Sequence, residues 1–129
     1  MAISASIRQR VRERAKELCE YCHLPERMSP LSLQIEHVIA KQHRGSDDLD
    51  NLALACLDCN LHKGPNLSGI DPDSGQIENL FNPRTQVWEE HFAWEDPVLI
   101  GTTATGRTTI WTLDMNSEMR IASRKRWKT

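Results

Sequence analysis

Four cysteines in two pairs, Cys19-x2-Cys22 and Cys56-x2-Cys59, constrain this chain more than any other feature. They are its whole cysteine complement. In a reducing compartment, two such pairs are the pattern of a tetrahedral Zn(II) thiolate site, each pair forming a knuckle that presents two sulfurs. A single C-x2-C would also suit a redox dithiol. Two disulfides are the other use of four cysteines, and the lack of a secretion signal disfavours them. Closure over the 33 intervening residues would tie a first helix to a second. Such a staple matters in 129 residues of which 39% are hydrophobic and only 5% aromatic, because a small domain buries a limited share of its surface.

Around the cysteines the sequence reads as an α+β chain. Ile7, Val11, Ala15 and Leu18 recur at helical spacing and predict a helix over 6–18. Leu31, Leu33, Ile35, His37 and Ile39 alternate, predicting a strand that ends near Glu36-His37. Asn51 to Ala55 is a second short apolar stretch, and Cys56 to Lys63 predicts a helix stopped by Gly64-Pro65. Residues 64–84, rich in Pro and Gly, read as an irregular wrap. Beyond them, 86–94 forms a short aromatic-bearing segment and 98–100 a short strand. The stretch from Thr105 to Leu113 is ambiguous between a strand and a helix capped by Thr105. Asn116 is expected to cap a last helix running to Trp127. The domain reading is a zinc-braced core over 1–66 and an extension over 67–129 packing on it as one structural domain.

The formal net charge of -2 excludes a uniformly basic nucleic-acid sponge, but the charge is unevenly spread. Arg8, Arg10, Arg12, Arg14 and Lys16 crowd one end, and Arg120, Arg124, Lys125, Arg126 and Lys128 the other. Such ends either grip a polyanion or are ordinary solvated helix faces. His23 and His91 read as structural or solvent-facing, and Trp88, Trp94, Trp111 and Trp127 as core and lid residues rather than base-stacking platforms. No apolar run approaches a membrane span, and the basic amphipathic start lacks a signal-peptide core, so a cytoplasmic protein without membrane attachment is expected.

Between the knuckles lie Glu36-His37-Val38-Ile39, Asp50-Asn51-Leu52 and Cys56-Leu57-Asp58-Cys59-Asn60-Leu61-His62-Lys63. In this order and spacing they resemble the HNH endonuclease family of ββα-metal (His-Me finger) nucleases, in its branch with a C-x2-C pair on each side of the active site. The resemblance covers about a third of the chain, Cys19 to Gly64. It implies two strands and a helix around one divalent cation. In that arrangement Glu36 and Asn60 would ligate Mg(II) or Mn(II), with His62 the alternative to Asn60. His37 would be the general base and Asn51 would fix the loop that orients it. Lys63 would meet phosphate. The loop residues Lys41, His43 and Arg44 are further candidates for phosphate contact.

Physically the set suits phosphodiester hydrolysis. Oxygen ligands hold a hard cation against a phosphate, and a neutral imidazole can take a proton from water near pH 7. Two departures from the family's commonest pattern stand out. Glu36 occupies a position that is usually Asp, and Asn60 occupies that of the last histidine. The expected activity is metal-dependent cleavage of DNA, RNA not excluded, by a monomer or homodimer leaving 5′-phosphate and 3′-hydroxyl ends. The alternative is a non-catalytic zinc module for nucleic acid or protein, which would have no need of Glu36, His37, Asn51 and Asn60 together.

Overall fold

A computed structural model describes residues 3–128 and resolves the chain into two compact units, Met1–Pro65 and Asn66–Thr129. Among the described residues there are four α-helices and three separate antiparallel strand pairs. The architecture is α+β.

The first unit opens with α1 (Ala5–Arg14), capped by Ser4, whose Oγ accepts from the Ile7 amide at 3.2 Å. The predicted continuation to Leu18 fails because Lys16 and Glu17 both adopt left-handed backbone, φ 57° and 58°, which turns the chain into the first cysteine pair. Two of the N-terminal cations are braces. Arg12 donates to the Leu33 carbonyl at 2.8 Å and pairs with Glu26 at 3.3 Å, while Arg14 donates to the carbonyls of Leu49 and Leu52 at 2.9 and 2.6 Å. That part of the basic end holds the fold.

Strand β1 (Gln34–His37) pairs antiparallel with β2 (Leu52–Ala55), placing His37 opposite Leu52 and Glu36 opposite Ala53. The alternating pattern over 31–39 overstates β1, because β2 offers only four residues to pair with. All four β2 residues are buried, forming the floor of this unit. The outer edge of β2 is closed by Glu20, whose amide donates to the Leu54 carbonyl and whose carboxylate accepts from the Leu54 amide, both at 2.8 Å. Helix α2 (Leu57–Lys63) follows at once. Cys56 caps it by accepting from the Cys59 amide at 3.4 Å, and Gly64, at φ 51°, ends it.

In the second unit, the stretch read as an irregular wrap contains a hairpin, β3 (Ser68–Ile70) with β4 (Ile77–Asn79). Its turn is built on Asp71, which is fully buried and accepts from the Asp73 amide at 3.0 Å and the Ser74 hydroxyl at 3.2 Å. A second hairpin, β5 (Phe92–Glu95) with β6 (Val98–Gly101), leads into α3 (Ala104–Thr112). The 105–113 stretch is therefore helical, and its cap is Thr103 rather than Thr105. Helix α4 (Glu118–Trp127) is capped by Ser117, not Asn116. Asn116 instead clamps β6, exchanging hydrogen bonds with the Leu99 amide and carbonyl at 3.1 and 2.8 Å.

Arg124 is buried, its guanidinium held by the carbonyls of Met115 and Pro97 at 2.8 and 3.0 Å, so the C-terminal basic cluster is also partly structural. Trp88 stacks on Phe92 at 5.0 Å and Trp94 meets Trp127 edge-on, whereas Trp111 is 67% exposed and is no core residue. No helix among the described residues is long and apolar enough to cross a membrane.

Candidate active site

The two cysteine knuckles bracket Glu36, His37 and Lys41 in sequence. After the left-handed pair at 16–17, the Cys19 amide donates to the Leu24 carbonyl at 2.9 Å and the Cys22 amide reaches the Cys19 sulfur at 3.5 Å. His23, also left-handed at φ 66°, completes this knuckle, and the start of α2 supplies the second. All four sulfurs are buried and lie within 4.8 Å of one another, with Cys22 and Cys56 at 3.7 Å. A tetrahedron with Zn–S bonds of about 2.3 Å has sulfur–sulfur edges of about 3.8 Å. Burial and the neighbouring thiols push the Cys19 and Cys59 thiols well above their ordinary range. Four thiols gathered in this setting are compatible with zinc, whose charge reverses that penalty, and they form no disulfide.

Between the knuckles, β1 and α2 bound an open cleft of about 260 Å³ lined by Glu36, His37, Lys41 and Asn60, with Ile35 and Gly64. Glu36 is 5% exposed. Tyr21, from inside the first knuckle, donates its hydroxyl proton to one carboxylate oxygen, and the Lys63 ammonium lies 3.3 Å from the other. Burial pushes the Glu36 carboxyl up, against the opposing pull of Lys63 and Tyr21. Burial together with Glu36 pushes the Tyr21 phenol well up, so it remains a donor. Asn60 donates from its amide nitrogen to the Gln34 Oε1 at 2.5 Å, which commits the donor half of the amide and leaves its oxygen for a cation. A carboxylate and an amide oxygen beside an open cleft fit a hard divalent ion, and a carboxylate strained by burial gains from further positive charge.

His37 lies at the end of β1. Its Nε2 is 2.7 Å from Asp47 Oδ1, and the same oxygen is 2.8 Å from the Lys41 ammonium. Lys41 and His37 together hold the Asp47 carboxyl at about 2. Asn51, 8% exposed, clamps the loop that delivers Asp47. Its Oδ1 accepts from the Ile39 amide at 2.9 Å, and its Nδ2 donates to the carbonyls of Ile39 and Ser46 at 3.0 and 2.8 Å. Gly45 passes so close that a Cβ there would lie 1.7 Å from the Ile39 oxygen, so only glycine fits.

The remaining expected residues lie elsewhere. Lys63 is 2% exposed and donates to the Val38 carbonyl at 2.9 Å, so it buttresses Glu36 and offers nothing to a phosphate. His62 does not line the cleft; its Nδ1 donates to the Asp58 carbonyl at 2.8 Å on an exposed face of α2. His43 is exposed with Nε2 at 3.1 Å from the Pro65 carbonyl, and Arg44 is exposed in left-handed backbone at φ 65°. Of the loop cations only Lys41 lines the cleft. The sequence does not mark Tyr21, Gln34 or Asp47 as site residues. Their signals are a tyrosine inside a knuckle, a glutamine two residues before Glu36, and one carboxylate among several in a polar loop.

Two strands and a capped helix, carrying a histidine, a clamping asparagine and a second asparagine between two cysteine knuckles, define a cysteine-braced ββα fold. Residues 19–66 match the family model of the HNH endonuclease. The family is one of nucleases, generally metal-dependent and acting on nucleic acids. No curated protein and no solved structure matches the chain.

Proposed function

We propose that the chain is a metal-dependent endonuclease that hydrolyses DNA phosphodiester bonds, with zinc on Cys19, Cys22, Cys56 and Cys59 and a Mg(II)- or Mn(II)-type ion on Glu36 and Asn60. The observation that carries the reading is the convergence of Glu36, His37 and Asn60 on one open cleft. A bound divalent ion supplies charge neutralisation at the phosphate and stabilisation of the departing 3′ oxygen. His37 takes the proton of the attacking water, at the one ring nitrogen not engaged by Asp47. Asn51 fixes the loop that meets His37, and Lys41, at the cleft wall, offers its ammonium to a phosphate oxygen. Lys63 and Tyr21 hold Glu36 in place from behind.

The test is cleavage of supercoiled plasmid with Mg(II) or Mn(II), wild type beside His37→Ala. Cleavage by the wild type and its loss in the variant is expected. Equal cleavage by both proteins sinks the mechanism, and none by either favours a non-catalytic zinc module.

A further inference from the structure

We infer that Asp47 is a positioning residue for His37: its carboxylate holds the imidazole in the Nε2–H tautomer, leaving the Nδ1 lone pair as the proton acceptor in the cleft. The inference rests on the nuclease reading only for its catalytic consequence. The tautomer itself follows from the contacts.

Asp47 Oδ1 lies 2.7 Å from His37 Nε2 and 2.8 Å from the Lys41 ammonium. Held at about 2, the carboxyl is ionised at any working pH and can only accept. Lys41 can only donate, so Nε2 must carry the proton shared with Asp47. A neutral imidazole with its proton on Nε2 bears its lone pair on Nδ1. No hydrogen-bond partner of Nδ1 occurs among the described residues, and the ring lines the cleft.

The placement of Asp47 is built in. Asn51 ties the Ser46 carbonyl, one residue from Asp47, to Ile39, two residues beyond the end of β1. Gly45 permits that close approach. The clamp thus delivers a carboxylate to the Nε2 edge of the histidine, not merely a rigid loop. Lys41 shares the carboxylate oxygen and favours the ionised form of Asp47.

The test uses the full, zinc-loaded chain with ¹⁵N-labelled histidine. Imidazole nitrogen shifts are read above the range where histidine titrates, with His37 identified by its absence in His37→Gln. The wild type is expected to show the Nε2–H form at His37, and Asp47→Ala a mixture of both tautomers. Asp47→Asn, which retains an acceptor oxygen, is expected to recover most of the Nε2–H form. Asp48→Ala, an exposed neighbour without a side-chain contact to His37, is the control for loop integrity.

In plasmid cleavage with Mg(II), Asp47→Ala is expected to lower kcat by about 10- to 100-fold, the scale typical of losing a histidine's supporting carboxylate. KM should not rise, because removing a negative charge beside Lys41 favours a polyanion. A loss confined to KM would mark a substrate-contact role and overturn the inference. So would an Nδ1–H tautomer in the wild type, or an unchanged tautomer in Asp47→Ala. Absence of cleavage by the wild type counts against the nuclease reading alone, because the tautomer is read without substrate.

Discussion

Tyr21, seated between Cys19 and Cys22, donates its hydroxyl proton to Glu36, which lines the cleft. The same knuckle system places Asn60 directly after Cys59. One candidate oxygen ligand of the divalent ion is therefore held by a residue inside a knuckle, and the other is the next residue after a knuckle cysteine. A brace designed only for stability would have no reason to touch both.

Tyr21→Phe keeps the ring and removes the donor. Leaving a buried acceptor one hydrogen bond short costs about 1–3 kcal/mol, read as a lower midpoint in urea with full zinc content. Lys63→Met is expected to cost more, about 3–5 kcal/mol, because it strips the buried Glu36 of its counter-charge. Equal midpoints for wild type and Lys63→Met would show that Glu36 is protonated and unpaired in solution.

Zinc removal is expected to dissolve the cleft without unfolding the whole chain, because the second unit, Asn66–Thr129, has its own core around Phe81, Phe92 and Leu99. Elemental analysis should give about one zinc per chain. Chelation should abolish hydrogen-exchange protection at the Leu54 and Cys59 amides while leaving that at Phe81, which bonds Thr109 at 2.8 Å. Free thiols with unchanged protection at Leu54 would refute the zinc assignment.

Asn51→Ala removes three hydrogen bonds that join Ile39 to Ser46. A destabilisation of about 2–4 kcal/mol is expected from the orphaned backbone groups. Loss of the tautomer preference at His37 should accompany it, since Asp47 is no longer delivered. Stability unchanged within error would refute the clamp.

Much of this centre was legible from residue identity. The cysteine spacing placed both knuckles, and Cys56-Leu57-Asp58-Cys59 placed α2 because a sulfur cap and a Gly64 stop are local chemistry. What was not legible depends on partners distant in sequence. Helix α1 ends at Arg14 because Lys16 and Glu17 turn the chain so that Glu17 accepts from the Glu26 amide and Cys19 donates to the Leu24 carbonyl, which no helical periodicity reports. The hairpin at 68–79 has strands of three residues with exposed Ile70 and Ile77, too short and too polar to rise above its Pro72 and Gly75 turn signals. Lys63 reads as a surface cation on α2, and only the fold turns it onto the Val38 carbonyl.

Acid should weaken the second unit through Asp71. Its carboxyl is held at about 2, first by the Arg107 guanidinium at 2.8 and 3.2 Å and then by the Asp73 amide. In the unfolded chain it returns to its ordinary 3.8. A depressed folded value means the unfolded state binds more protons between the two, so stability falls as pH falls. The contribution is complete above about pH 4 and is lost as pH drops toward 2. Thermal midpoints of the full chain across that window should decline more steeply for wild type than for Asp71→Asn, which cannot titrate. Parallel slopes would show that other carboxylates govern the acid limb.

The choice between Asn60 and His62 as the second ion ligand can be decided without substrate. Asn60 lines the cleft with Glu36, whereas His62 is exposed with Nδ1 on the Asp58 carbonyl of its own helix. Mn(II) binding followed by calorimetry or paramagnetic resonance should weaken at least about tenfold in Asn60→Ala, no less than the loss of a ligand's supporting partner costs. His62→Ala should bind as the wild type does. Gln34→Ala gives the intermediate case, since it frees the Asn60 amide to rotate without removing its oxygen. If His62→Ala weakened binding and Asn60→Ala did not, α2 would have to turn on binding the ion, and the Asn60–Gln34 hydrogen bond would have to break with it.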